Sequence, residues 1–313
     1  MTAVEQRVDS ARGTELPIRR WDTVRAYISL MKLRVVELLL VTTVPAMVLA
    51  QRGLPPLWLA LVTLLGGTLA AGSAHAFNQV LERDIDAVMH RTRRRPMAMA
   101  RVSAQAGFTF AAVLLVVAVT IMVIWVNPLA AGLTAAANLF YVLVYTVLLK
   151  RRTTQNIVWG GVAGCLPTLI GWSAVTGSLD WPPVLLFLIV FFWTPPHYWP
   201  LAMRYREDYE RAGVPMLPVV ASARTVATQI LAYSWAMVLT SLVLWPVASL
   251  SWIYGLGAVL GGAWFLSEAH RLHVLAGRDS TGAGLKAMRL FHGSITYLTV
   301  VFVAVMADVL ILG

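Results

Sequence analysis

The sequence LWLALVTLLGGTLAAGSAHAFNQVLERDIDAVMHRTRRRP, residues 57–96, runs from a long apolar segment directly into a dense cluster of charge. Residues 57–79 contain no Asp, Glu, Lys or Arg and are long enough to cross a bilayer, which takes about 20 mostly apolar residues. The charge that follows comes in two blocks, first the acids Glu82, Asp84 and Asp86 and then the bases Arg91, Arg93, Arg94 and Arg95. This order predicts a spanning helix that ends in a polar site.

The composition of the whole chain indicates a polytopic membrane protein. Of the 313 residues, 58% are hydrophobic and only 13% are charged, whereas a soluble domain has roughly 25% charged residues. The net charge of +10 is what basic loops give a membrane protein, so we expect a lipid bilayer and no nucleic acid as partner. The single cysteine, Cys165, excludes an internal disulfide and a cysteine-rich metal site.

The apolar segments predict an all-α membrane protein with nine transmembrane helices. Residues 1–24 form a polar N-terminal tail without the apolar core of a signal peptide, and residues 25–313 form one domain. The predicted spans are residues 35–51, 57–79, 104–125, 129–149, 156–175, 183–202, 225–247, 252–272 and 290–311.

The connections between these spans alternate in charge. One set is short and nearly uncharged, for example QRGLPP after the first span, and the other set is long and basic, for example KRR at residues 150–152. Because basic loops stay in the cytoplasm, we expect a cell-membrane protein with its N-terminus inside and its C-terminus outside.

The first acidic cluster has the spacing of one helix face. Asn78, Glu82 and Asp86 stand at i, i+4 and i+8, whereas Asp84 points away but stays near the helix end. Carboxylate and amide oxygens suit Mg²⁺, which takes one or two carboxylates together with phosphate oxygens and water. Arginines suit phosphate, so the cluster is consistent with a site for Mg²⁺ and a phosphorylated substrate. The alternative is an ordinary loop in which the acids pair with the arginines.

A second acidic cluster, in MRYREDYERAGVPMLPVV at residues 203–220, follows the sixth predicted span. Glu207 and Asp208 would lie on the same side of the membrane as the first cluster, and the two sets could hold metal around a diphosphate. A self-paired surface helix is the alternative, because Arg204 and Asp208 stand at i, i+4.

Together these motifs resemble the UbiA-type intramembrane prenyltransferases. The first cluster matches that superfamily's aspartate-rich motif, and two longer stretches are similar to its haem-farnesylating branch: YTVLLKRRTTQNIVWGGVAGCLPTLIGW at residues 145–172 and TPPHYWPLAMRYREDYERAGVPMLPVV at residues 194–220. The chain departs from the pattern at Leu33, where proline is usual, and at Glu82, where aspartate is usual. Gln79, where the superfamily often has aspartate, favours the haem branch.

The resemblance implies nine helices around a central cavity and Mg²⁺-dependent transfer of a farnesyl group from farnesyl diphosphate to a vinyl group of haem b, with haem A synthase as a candidate partner. Another acceptor, such as a quinone precursor, and a transporter remain as alternatives.

The candidate residues fall into three groups. The metal ligands would be Asn78, Glu82, Asp84, Asp86, Glu207 and Asp208, of which Asn78, Glu82, Asp86 and Asp208 are also the catalytic candidates. The diphosphate would contact Arg91, Arg95, Lys150 and Arg151. The haem would contact His197, His292 and Tyr145, with His197 preferred because Pro195, Pro196 and Pro200 interrupt its span.

Overall fold

The structure is a computed structural model that describes residues 20–278 and 285–312, apart from the side chains of Arg20 and residues 34–40. The predicted polar tail, residues 1–24, lies outside this range except for its last five residues, which begin the first helix.

The described residues form helices and short connections, without a strand among them. We number the helices α1 (Arg20–Leu30), α2 (Leu33–Gln51), α3 (Leu57–Leu81), α4 (Arg83–Val88), α5 (Ala104–Trp125), α6 (Pro128–Leu139), α7 (Asn156–Thr176), α8 (Trp181–Arg204), α9 (Arg206–Arg211), α10 (Leu217–Val220), α11 (Ala223–Val247), α12 (Trp252–Gly277) and α13 (Ala287–Leu312). Helix α6 continues without a break into a π-helical segment, Phe140–Leu149.

Each predicted span corresponds to helix, but not every one of these helices is both long and apolar enough to cross a bilayer. Within the described residues, seven helices are long and apolar enough to cross a bilayer, with α6 and the π-helical segment counted as one. Helix α12 is 26 residues long but contains Glu268 and Arg271. In α2 the apolar stretch Val41–Gln51 is shorter than a bilayer crossing requires. The predicted count of nine is therefore not established, although the all-helical architecture is.

Side-chain caps mark where several helices begin. Ser103 accepts a hydrogen bond from the backbone N–H of Ala106, and Asn127 accepts one from Ala130. These caps satisfy backbone groups that the first turn leaves unpaired. Helix α7 ends at Gly177, whose φ of 67° is the left-handed conformation that glycine adopts easily.

The outer surface of the bundle is apolar. Helix α5 exposes Val113, Val116 and Ile124, at 53%, 65% and 63% of their surface, and its mean hydropathy of 2.7 is the highest among the spans. A soluble protein would not leave such a surface uncovered, so this surface is suited to lipid.

The two ends of the bundle differ in chemistry. One end of the bundle, which we call the basic end, carries residues 82–103, 150–155, 205–222 and 285–286. At the opposite end, Arg52 donates a hydrogen bond to the Ala248 carbonyl over 2.6 Å, and Asn127 donates one to the Ser173 carbonyl over 2.7 Å. The alternation of loops expected from the sequence is therefore present in the structure.

A buried carboxylate, Asp308, closes the opposite end. Its oxygens accept hydrogen bonds from the backbone N–H groups of Ser251 and Tyr254, each over 2.9 Å, and from the Ser251 hydroxyl. Asp308 near the end of α13 thus supplies the cap for the first turn of α12.

We predict that Asp308→Ala destabilises the bundle by about 1–3 kcal/mol, because it leaves buried donors without an acceptor. The measurement is the thermal unfolding midpoint in detergent. Asp180→Ala, which removes an exposed carboxylate just before α8, is the control and should unfold like the wild type. Equal midpoints for the two variants would contradict the capping role of Asp308.

Candidate functional site

Three polar side chains form one buried face at the basic end. Asn78, Glu82 and Asp86 are 2%, 1% and 2% exposed. Helix α3 ends at Leu81 with Glu82 as its C-cap, and the backbone bonds Glu82 N–H to Asn78 C=O and Asp86 N–H to Glu82 C=O carry the helical register from α3 into α4. The i, i+4, i+8 spacing seen in the sequence therefore produces the shared face that it predicts.

Each carboxylate on this face is paired with a cation from a different segment. Lys150 Nζ lies 2.5 Å from Glu82 Oε2, and Arg95 Nη1 lies 2.7 and 2.8 Å from the two oxygens of Asp86. A carboxylate this deeply buried needs a partner, because an unpaired buried charge costs several kcal/mol. The arginine cluster thus contributes directly to the buried site.

The π-helical segment and its C-cap residue contribute two side chains, Thr146 and Lys150, in register with α3. Asn78 donates a hydrogen bond to the Thr146 hydroxyl over 3.2 Å, and Lys150 reaches Glu82. Both contacts join residues 68 positions apart in the chain, so the two segments run side by side in the same direction. This arrangement brings the Asn78 amide and the Glu82 carboxylate to the same end of the bundle as the Lys150 ammonium.

The second acidic cluster meets the first through the backbone of residues 90–91. Asp208 accepts hydrogen bonds from the backbone N–H groups of Arg91 and His90, over 3.2 and 3.4 Å. On the other side of this loop, the Thr92 hydroxyl donates to the Asp86 carbonyl oxygen over 3.1 Å. The structure therefore brings the two clusters together, with Asp208 acting on the loop that carries the arginines.

The structure places three of the predicted residues away from the buried face. Asp84 is 60% exposed and forms a two-point ion pair with Arg151. The hydrogen bond from the Arg151 guanidinium holds the pKa of Asp84 below its usual value. Glu207 is also exposed, beside the buried Asp208. The spacing of Asp84 relative to Glu82 already indicated this separation.

Tyrosines complete the wall beside the carboxylates. The hydroxyls of Tyr198 and Tyr209 share a hydrogen bond of 2.8 Å, and Arg91 Nη2 lies 3.4 Å from the Tyr209 hydroxyl. Burial raises the pKa of Tyr209 well above its usual value, so this hydroxyl stays protonated. The Tyr145 ring is buried, with Lys150 Nζ 5.8 Å from its centroid, close enough for a cation–π contact.

Lys32 is a residue of this region that the site prediction missed. It lies in the turn between α1 and α2, with a left-handed φ of 48°. Burial, together with the charges of Arg95 and Lys150, lowers the pKa of Lys32 to about 7. A bound anion would favour its charged form and raise that pKa. In the sequence, Lys32 begins the stretch KLRVVELLLVTT, residues 32–43, and nothing in the local spacing links this stretch to residues 82–95.

His197 lies deeper in the bundle, in a pocket between α8 and α13. Its ring stacks on Trp193 and Phe291, with centroids 4.1 and 4.6 Å away, and its Nδ1 lies 2.8 Å from Ser294 Oγ. The Ser294 hydroxyl donates its single proton to the Phe291 carbonyl. His197 Nδ1 must therefore be the donor, which leaves a lone pair on Nε2 of the neutral ring.

His292 differs from His197 in its surroundings. Its side chain is exposed, and its Nδ1 lies 2.7 Å from the Met288 carbonyl of its own helix. The structure therefore does not bring His292 into the pocket that holds His197.

The buried face fits a divalent cation that brings its own ligands. Glu82 Oε1 is buried without a hydrogen-bond partner, so one carboxylate oxygen is left for a further cation. Among the described residues, no three His, Cys, Asp or Glu side chains are close enough to hold a metal by themselves. Mg²⁺ needs only one or two carboxylates when phosphate and water complete its shell.

A protein-family model and a farnesyltransferase both match most of this chain. The model of the UbiA prenyltransferase family matches residues 39–306. The chain is 57% identical over 292 residues to a protoheme IX farnesyltransferase of Nocardioides sp., covering 93% of both chains.

Solved structures share the fold. One is a digeranylgeranylglyceryl phosphate synthase, at a TM-score of 0.76 and 14% identity, with 92% of this chain and 99% of that one covered. Another is a UbiA homologue from Archaeoglobus fulgidus bound to GPP and Mg²⁺, at a TM-score of 0.60 and 15% identity, with 90% and 99% covered.

We predict that Asp208→Ala frees the loop of residues 89–95, because the two backbone N–H groups lose their acceptor. Limited trypsin digestion in detergent should then cleave after Arg91, Arg93 or Arg94 at least several times faster than in the wild type. Glu207→Ala, which removes the exposed neighbour, is the control. If both variants are cut at the wild-type rate, Asp208 does not hold this loop.

Proposed function

The chain belongs to the UbiA prenyltransferase family, and we infer that it transfers a farnesyl group from farnesyl diphosphate to a vinyl group of haem b, giving haem O and diphosphate. The observation that carries this inference is the 57% identity to a protoheme IX farnesyltransferase over 93% of both chains. The buried site supports it. Its carboxylates and cations suit the diphosphate of the substrate, and its tyrosines suit the start of the apolar farnesyl chain.

The reaction needs charge stabilisation on the leaving group. As the C1–O bond of farnesyl diphosphate breaks, its electron pair leaves with the diphosphate, and the vinyl carbon supplies the pair for the new C–C bond. The resulting cation beside the porphyrin takes up water, which then loses a proton. Lys150 and Arg95 are placed to stabilise the diphosphate, with Arg91 and Lys32 next to them.

We propose that Asn78, Glu82 and Asp86 hold Mg²⁺, with Asp208 at the edge of the site. Bound there, Mg²⁺ would neutralise diphosphate oxygens and make the diphosphate a better leaving group. Lys150 and Arg95 are the counter-ions of Glu82 and Asp86 in the present structure. We infer that these cations turn from the carboxylates to the diphosphate when the substrate binds. Asp84, Arg151 and Glu207 then have no direct role.

The acceptor is proposed to lie against His197. Stacking and the bond to Ser294 hold the His197 ring in place with Nε2 as its unprotonated nitrogen, and such an orienting partner is typical of histidine ligands to a metal. His197 is therefore the axial ligand or polar contact that we assign to the haem iron. The buried Tyr145 would shield the allylic cation from water.

For the membrane topology we propose that α2 and α12 also span, giving nine crossings around a central cavity. The basic end then faces the cytoplasm of the cell, because the basic loops lie there. Haem O formed by the protein would pass to a haem A synthase, which is the partner that we propose.

We predict that Asp86→Asn lowers haem O formation at least about 100-fold, because it removes a metal ligand and the partner of Arg95. The assay contains purified protein, haem b, farnesyl diphosphate and Mg²⁺, with mass spectrometry of the haem. Asp84→Asn, two residues earlier and exposed, should keep activity within about threefold of wild type. Wild-type turnover in Asp86→Asn would remove Asp86 from the site.

We predict that His197→Ala weakens haem b binding and changes its Soret band, because the ring that faces the acceptor is lost. His292→Ala is the matched control and should leave the spectrum as in the wild type. The measurement is an absorbance titration without farnesyl diphosphate. An unchanged spectrum and affinity in His197→Ala would exclude ligation by this residue.

A further inference from the structure

A cavity of about 1060 Å³ opens at the basic end, and Asp208 is the only one of its lining residues that the proposed reaction has used. Its floor includes apolar side chains such as Met203, Val226 and Met288. Its rim carries the bases Arg204, Arg206, Arg211 and Lys286, and His90, Glu207 and Asp208 also line it. The volume is in the range of sites for small molecules. A ligand that fits both surfaces has an apolar body and anionic groups at one edge.

Two of the rim cations are not neutralised within the described part of the chain. Arg211 lies 3.7 Å from Asp208, and Arg206 donates to the Val219 carbonyl. Arg204 and Lys286 have neither an ion pair nor a side-chain hydrogen bond there, and both are exposed. Two free cations therefore face the cavity from two different elements, the end of α8 and the turn before α13.

The cavity and His197 lie along the same two helices, α8 and α13. On α8, Arg204 follows His197 by two helical turns and so lies on the same face, roughly 10 Å further along the axis. On α13, Ala287 lines the cavity, and Phe291 and Ser294 follow it at spacings of four and three, on one face of the helix.

We propose that Arg204 and Lys286 bind the propionate carboxylates of the acceptor porphyrin. This assignment rests on the proposed function and adds to it the orientation of the acceptor. Haem b carries its two propionates at one edge of the ring. The distance from its iron to a propionate carboxylate is of the same order as the separation of His197 and Arg204 along α8. The iron can therefore lie near His197 while the carboxylates reach the basic end. The vinyl edge then points into the apolar interior.

The proposal also explains the position of the cavity relative to the diphosphate site. His90 and Asp208 line the cavity, and the same Asp208 holds the loop whose Arg95 pairs with Asp86. The two anionic parts of the substrates would thus bind on either side of residues 89–95, each with its own cations. Both substrates would keep their charged groups at the basic end, and the vinyl group would approach C1 of farnesyl diphosphate beside the diphosphate site.

The test combines a protein change with a ligand change. Arg204→Ala/Lys286→Ala should raise the KM for haem b about tenfold or more, the size expected for lost hydrogen bonds between charged groups. The KM for farnesyl diphosphate and the kcat should change little. Arg152→Ala, an exposed arginine outside the cavity, is the matched control and should behave like the wild type.

Haem b dimethyl ester, which lacks the propionate charges, supplies the second arm. With this ester the wild type and the double variant should bind equally, because the interaction is already absent. An equal loss with haem b and with its ester would overturn the proposal, as would a rise in the KM for farnesyl diphosphate alone. A KM for haem b that differs between the wild type and the double variant only when anionic lipid is present would assign the two cations to lipid headgroups instead, and would also overturn it.

Binding titrations without farnesyl diphosphate separate this inference from the proposed function. If the wild type formed no haem O yet bound haem b more tightly than the ester through Arg204 and Lys286, the transfer reaction would be wrong and the propionate site right. If transfer proceeded while the double variant bound haem b like the wild type, the propionate site would be wrong and the function would stand.

Discussion

The burial of Glu82 and Asp86 is the constraint on which the site depends. Two carboxylates that are 1% and 2% exposed need cationic partners, because burying a charge without a partner is costly. Lys150 arrives from the π-helical segment and Arg95 from the following loop. Each pair therefore joins a separate part of the chain to α3 and α4. The fold of residues 89–95 and its attachment to Asp208 follow from the same requirement.

The sequence was sufficient for the parts of this structure that depend on local pattern. Apolar length predicted every long helix, and the spacing of Asn78, Glu82 and Asp86 predicted their common face, because both follow from helix geometry alone. The number of membrane crossings was harder. Helix α12 places Glu268 in contact with Arg289 of α13, and a pair formed between helices hides charge that a hydropathy window counts in full.

Side-chain partners from distant segments were beyond local pattern. Asp208 was expected to face the metal directly, yet it accepts hydrogen bonds from the backbone of residues 90–91. His292 resembled His197 in sequence because both are histidines in apolar segments, and only the packing of α8 on α13 separates them. Lys32 has no local signal, since its proximity to Arg95 and Lys150 is produced by the turn between α1 and α2.

The π-helical segment links the fold to the chemistry. A π-helix is uncommon and is frequently found at functional sites, and here the segment and its C-cap residue supply Thr146 to Asn78 and Lys150 to Glu82 with the same offset along the chain. The backbone bond from Lys150 N–H to the Tyr145 carbonyl has the five-residue spacing of this helix type. An ordinary α-helix through residues 140–149 would rotate Thr146 and Lys150 relative to α3. The wider turn therefore sets the register in which one lysine neutralises a buried carboxylate and stays close enough to serve a bound diphosphate.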